Sequence, residues 1–123
     1  MVKKETIIVT VGEFDPLNIE ELHYLKRCKE KGHILIVGIQ SDMWMQWCRG
    51  SFFQNFKARK SIIDSLRMVN ETIAFDDSDG TVCDLLNIVK ICYPGAKITY
   101  VSQDGVKGLP ESNIKGIKFE TMK

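Results

Sequence analysis

The sequence predicts an α/β domain: a five-stranded parallel sheet with helices on both faces. Two apolar runs, Ile7 to Val11 and Ile34 to Ile39, do not alternate with polar residues, as expected of parallel strands covered on both sides. Between such runs lie stretches of helical periodicity, so strands and helices alternate and right-handed crossovers follow. Turn chemistry at Gly32, Gly50, Asp76 to Gly80 and Pro94-Gly95 falls between the periodic stretches rather than inside them.

Residues 6–11 read as the first strand and residues 18–31 as a helix. Ile19, Leu22, Leu25 and Cys28 recur every third residue and Gly32 provides the stop. Asn18-Ile19-Glu20-Glu21 has the form of a capping box. Residues 33–40 form the second strand, in which Gly38 suggests close approach of another backbone or a ligand. Ser41-Asp42 can cap a short helix over 43–47, followed by a loop over 49–55 holding Gly50, Phe52 and Phe53. Residues 56–68 read as a helix with Ile62, Ile63, Leu66 and Val69 on one face, and 71–75 as the third strand. After the turn at 76–80, a helix over 81–93 turns Val82, Leu85, Leu86, Val89 and Cys92 inward. The fourth strand covers 97–101, a glycine-rich loop 102–113, and a fifth, edge strand 117–121.

The chain of 123 residues suits one domain, 1–123, with one core. With 44% hydrophobic and 27% charged residues it has the composition of a globular protein. A net charge of +1 gives no reason to expect nucleic acid or an anionic membrane as partner. The run Ile34 to Ile39 is too short to span a bilayer, and no signal segment is expected ahead of the first strand, so the expectation is a cytoplasmic protein. Cys28, Cys48, Cys83 and Cys92 contain no Cys-x-x-Cys pair, and only His23 and His33 could join them, so no metal site is expected. Cys28, Cys83 and Cys92 are expected to be reduced and buried on helix faces.

The loop from the first strand to the first helix is where such folds bind ligands. Here it reads Val11-Gly12-Glu13-Phe14-Asp15-Pro16-Leu17-Asn18-Ile19-Glu20-Glu21-Leu22-His23. This stretch resembles the signature loop of the cytidylyltransferase-like nucleotidyltransferases, Gly-x-Phe-Asp-x-x-His-x-Gly-His. Gly12, Phe14 and Asp15 match; Asn18, Glu20 and Glu21 stand where the family has His, Gly and His. Gly38-Ile39-Gln40-Ser41-Asp42, Arg49-Gly50 and Arg59 (with Ala58 in place of the family's Glu) continue the resemblance. Phe75 to Gly80, Tyr93 to Ala96 and Leu109-Pro110-Glu111 resemble a subgroup found in bacteria and phages, the glycerol-3-phosphate cytidylyltransferase and ADP-heptose synthase type. The resemblance runs over residues 6–120 and implies a Rossmann-like nucleotidyltransferase fold, a homodimer, and phage-encoded origin in a host cytoplasm. It implies nucleotide contacts at Gly12, Phe14, Asp15, Asn18, Arg49 and Arg59, with Mg2+ if the protein is active. The family's Ser/Thr-rich C-terminal lid is not expected in this chain.

The departures change the electrostatics. Asn18 can donate a hydrogen bond but carries no charge. Glu20 places a side chain where the family has none, Glu21 a carboxylate where phosphate would sit, and Glu13 a third carboxylate nearby. Like charges 4 Å apart repel by about 4 kcal/mol at an effective dielectric near 20. Losing one transition-state donor costs about 10²–10³ in rate, and two are replaced. His23 stands about 200° around the helix from Glu21 and cannot substitute; a surface or partner-facing position is expected for it, and a strand-entry position for His33.

The expected function is therefore that of a nucleotidyltransferase-fold protein without catalysis, a pseudoenzyme binding a partner protein or a nucleotide. No catalytic residue is assigned with assurance to the degenerate motif Asn18, Glu20, Glu21. The alternative is an active nucleotidyltransferase that passes CMP or AMP from CTP or ATP to a small phosphorylated or alcohol acceptor, releasing pyrophosphate. Arg49 and Arg59 fit either phosphate ligands or ordinary ion pairs, and Asp15, Glu20 and Glu21 form a rival cation site. Trp44, Trp47, Phe52 and Phe53, with Met43 and Met45, form an apolar cluster read as core, dimer contact or a partner-binding surface.

Overall fold

A computed structural model of the chain describes residues 5–104 and 109–122. The elements are β1 (Thr6–Gly12), α1 (Ile19–Glu30), β2 (Ile34–Ile39), α2 (Asp42–Arg49), α3 (Phe56–Asp64), β3 (Glu71–Ala74), α4 (Cys83–Cys92), β4 (Lys97–Ser102) and β5 (Ile117–Thr121), with a 3-10 turn at Pro110–Asn113. The strands form one parallel sheet in the order β3-β2-β1-β4-β5. Val9 of β1 pairs with Ile36 of β2 on one side and Tyr100 of β4 on the other. The chain winds outward from β1 through β2 to β3, then crosses back to place β4 against the free side of β1. That reversal opens a crevice beyond the carboxyl ends of β1 and β4.

Alternate residues of each strand serve opposite cores. Ile7, Val9 and Ile36 meet Leu85, Leu86 and Val89 of α4 on one face. Ile8, Leu35 and Val37 meet Leu25 and Cys28 of α1 and Ile63 of α3 on the other. β5 lies at a sheet edge, as its pattern predicts.

Several helix faces differ from the expectation. α1 buries Tyr24, Leu25 and Cys28, while Ile19 is 61% exposed. A strict three-residue step drifts around a 3.6-residue helix, so Ile19 and Cys28 end up on opposite sides. α3 stops at Asp64, capped by Ser65, rather than continuing to residue 68; Ile63 is buried and Ile62 is exposed. α4 turns Leu85, Leu86 and Val89 inward, but Cys92 is exposed and Cys83 only half-buried. The helix ends there and Tyr93 packs against the core instead. Gly38 is close-packed against side chains: a Cβ there would lie 2.5 Å from Leu85 Cδ2 and 3.1 Å from Phe75 Cε1. His33 does sit at a strand entry, where its Nδ1 accepts from the Thr6 amide at 3.0 Å.

Candidate functional site: the crevice between β1 and β4

β1 ends at Gly12, and the chain then turns sharply at Phe14, which has a φ of 51°. The buried Phe14 ring folds back over Gly12, where a Cβ would come within 2.5 Å of it. Gly12 is thus required first by its neighbour's ring. Asp15 turns away from the crevice; its carboxylate accepts the amides of Phe53 at 2.8 Å and Gln54 at 2.6 Å.

Arg59 is fully buried and ties four segments together. Its Nε donates to Gln54 O at 3.0 Å, its Nη1 to Glu13 O at 3.0 Å and Gln40 O at 2.8 Å, and its Nη2 to Asp42 Oδ1 at 2.8 Å. Four of its five N–H groups hold the loop after β1 against the end of β2, the start of α2 and the loop before α3.

The start of α1 is self-capped. Asn18 Oδ1 accepts from the Glu21 amide at 2.8 Å, and the Asn18 amide donates to Glu21 Oε1 at 3.2 Å. This reciprocal box satisfies amides that a helix start otherwise offers to an anion. Burial raises the Glu21 carboxyl pKa; the Asn18 amide opposes this and the Glu13 charge adds to it. Asn18 and Glu20 line a shallow recess with His23 and Arg27 beside the crevice proper. His23 is exposed.

The crevice itself has a volume of about 510 Å³, the size of a small-molecule site. Carboxylates line it: Glu13, Glu21, Asp104 and Glu111. Arg49 lines it too, but its guanidinium is forked onto Glu13, Nε to Oε1 at 3.0 Å and Nη2 to Oε2 at 3.2 Å. Tyr100 and Tyr24 form apolar walls; the Tyr24 hydroxyl is engaged with Thr10 Oγ1 at 3.1 Å and Val101 O at 3.3 Å, and burial raises both phenol pKa values. Two buried polar atoms in the lining have no partner, Gln40 Oε1 and Trp44 Nε1.

Of the residues singled out from sequence for a nucleotide, Gly12, Phe14 and Arg49 line the crevice, while Asp15, Asn18 and Arg59 do not. Among the aromatic group, Trp44 lines it and packs edge-on against Trp47, with ring centroids 6.0 Å apart. Trp47 and Phe53 are 69% and 79% exposed, Phe52 is half-buried and Met45 is buried. Sequence reasoning missed Gln40 and Glu111 as site residues, although both lie inside segments that carry the resemblance. Residues 105–108 of the glycine-rich loop lie outside the described residues. Among the described residues, no group of three or more His, Cys, Asp and Glu is placed to hold a metal ion, and no helix is long and apolar enough to cross a membrane.

No protein-family model matches the chain. Curated relatives do, among them the following three. The chain is 32% identical over 75 residues to the bifunctional protein HldE of Coxiella burnetii, covering 59% of this chain and 16% of that protein. It is 31% identical over 93 residues to the FAD synthase of Thermococcus sibiricus, covering 75% of this chain and 60% of that protein. It is 30% identical over 66 residues to the glycerol-3-phosphate cytidylyltransferase of Bacillus subtilis, covering 54% and 51%. The chain belongs to the cytidylyltransferase-like nucleotidyltransferase superfamily. It spans only a part of each of these relatives. The lipopolysaccharide core biosynthesis protein of Thermoplasma volcanium has a similar fold over the same length, with a TM-score of 0.73, 20% identity and 97% of both chains covered. Of the three residues that depart from the superfamily pattern, Glu21 lines the crevice, while Asn18 and Glu20 lie in the recess beside it.

Proposed function

We propose that the protein binds a nucleoside in the crevice between β1 and β4 and does not transfer a nucleotidyl group by the superfamily's histidine route. The observation that carries this reading is the closed start of α1, where Asn18 and Glu21 cap each other. An incoming triphosphate would meet the Glu21 and Glu13 carboxylates rather than imidazoles, and Arg59 is fully buried with four of its five N–H groups already engaged. A nucleoside brings no phosphate charge and suits the aromatic walls.

The second reading is transfer, CMP or AMP passing from CTP or ATP with Mg2+ to a small acceptor. The relatives favour it, since a FAD synthase and a glycerol-3-phosphate cytidylyltransferase are among them. On the comparisons alone it is the better supported of the two. It requires Arg49 to leave Glu13 and meet phosphate.

Titration calorimetry with cytidine, adenosine, CTP and ATP, with and without Mg2+, together with a pyrophosphate-release assay, separates the readings. Nucleoside binding with no pyrophosphate release supports the first. Micromolar triphosphate binding with release that falls in Arg49→Ala supports the second and overturns the first.

A further inference from the structure

Among the described residues, the crevice holds one acceptor with only a weak donor and one with none. Glu111 is 6% exposed, yet the donor on its carboxylate is the Cys83 thiol at 3.9 Å, a weak one. Gln40 is 7% exposed, and its Oε1 has no partner. Glu21 and Asp104 add carboxylates to the same lining, and Arg49 is already neutralised by Glu13. Among the described residues no cation pairs with the Glu111 carboxylate, and a buried amide oxygen without a donor, as at Gln40, is costly. An anionic ligand would add to that cost; a cationic one with N–H donors would remove it.

We propose that the crevice takes a nucleoside-sized molecule bearing an ammonium or amidinium group, with Glu111 as its counter-ion and Gln40 as a second acceptor. This rests on the reading that the crevice holds a nucleoside, and goes beyond it by fixing the sign of the ligand's charge. The unpartnered Trp44 Nε1 is the donor for an acceptor atom on the same molecule.

The test varies charge on a constant body. 5′-Amino-5′-deoxyadenosine, adenosine and AMP are titrated in turn, then the matching cytidine series, at low and at moderate salt. The amine is expected to bind about tenfold more tightly than the neutral nucleoside, the monophosphate more weakly than either, and the amine's advantage to shrink with salt. Glu111→Gln, nearly isosteric, is expected to erase most of that advantage, read as the ratio of amine to neutral nucleoside affinity within the variant. Glu111→Asp, which keeps the charge, is expected to retain a preference for the amine; it serves if the glutamine variant does not fold. A flat or reversed order, with nucleoside binding intact, overturns the charge assignment alone. No binding by any member of either series overturns the nucleoside reading and this inference with it. An amine preference undiminished in a folded Glu111→Gln removes Glu111 as counter-ion and overturns the assignment.

Discussion

Replacing Arg59 by alanine separates a structural from a ligand-binding arginine. The side chain is fully buried and donates to three carbonyl oxygens, Gln54 O, Glu13 O and Gln40 O, and to the Asp42 carboxylate. Removing one partner of a buried, hydrogen-bonded ion pair costs about 3–5 kcal/mol. Asp42 is 36% exposed, so water can take over its share. Gln40 is 7% exposed and water reaches it poorly, so the loss is not reduced to that of a surface pair. The expected loss for Arg59→Ala is therefore about 3–4 kcal/mol in urea unfolding, and the melting temperature falls by about 10–20 °C. Arg59→Lys keeps the charge but not the fork, and is expected to recover less than half of the loss. The decisive comparison is between stability and ligand binding at a temperature where the variant is still folded. A variant that melts within about 2 °C of the parent yet no longer binds nucleotide would refute the strap and make Arg59 a ligand contact.

Four further outcomes follow from the geometry. Asn18→Ala removes the acceptor for the Glu21 amide and should cost about 1 kcal/mol in equilibrium unfolding. Gly38→Ala brings a Cβ to 2.5 Å from Leu85 Cδ2 and should cost about 1–3 kcal/mol by overpacking, with Leu85→Ala in the same chain relieving the clash but adding a cavity. In native thiol labelling Cys48 and Cys92 should react first; Cys28, buried and with its pKa pushed up to about 11, should react only on unfolding. Glu21→Gln keeps an acceptor for the Asn18 amide but removes a charge that burial and Glu13 disfavour. Because the folded pKa of Glu21 is raised, its stability contribution is present below the ordinary carboxylate pKa and is lost as pH rises through the folded value. The variant should therefore be at least as stable as the parent at pH 7, with the difference closing as the pH falls below the carboxylate range.

Local patterns were legible and long-range contacts were not. β1 and β2 could be placed from unbroken apolar runs, and β5 over 117–121 from its alternation. The α1 start could be read because a capping box lies within four residues of chain, Asn18 to Glu21. The inner face of α1 was misread because a step of three was followed where Tyr24 and Cys28 mark a step of four. Arg59 shows the limit most clearly. Its partners lie 5, 17, 19 and 46 residues away, so no spacing rule could tell a strap from a phosphate ligand. Gln40 and Glu111 come together in the crevice only through the sheet order, which places β4 and the chain beyond it next to β1.

The same contrast explains how a fold can persist while its chemistry changes. The sheet order rests on Ile7 to Val9, Leu35 to Val37 and their helical covers, none of which departs from the expected α/β pattern. Glu13, Glu20 and Glu21, where the motif departs, lie outside both cores. A change there leaves the packing intact, and Asn18 with Glu21 even strengthens the helix start it alters. Arg59 carries the opposite lesson. It matches the superfamily pattern, yet its burial and its four segments give it a reason to remain that owes nothing to a nucleotide. Matching residues therefore weigh least toward activity where they are buried straps, and most where, like Arg49, they line the crevice. Arg49 is held by a half-open fork to Glu13, with 63% of its side chain exposed, a solvent-screened contact that a phosphate could replace. Glu13→Gln releases that fork, so it should raise triphosphate affinity under the transfer reading and leave triphosphate binding undetectable under the binding one.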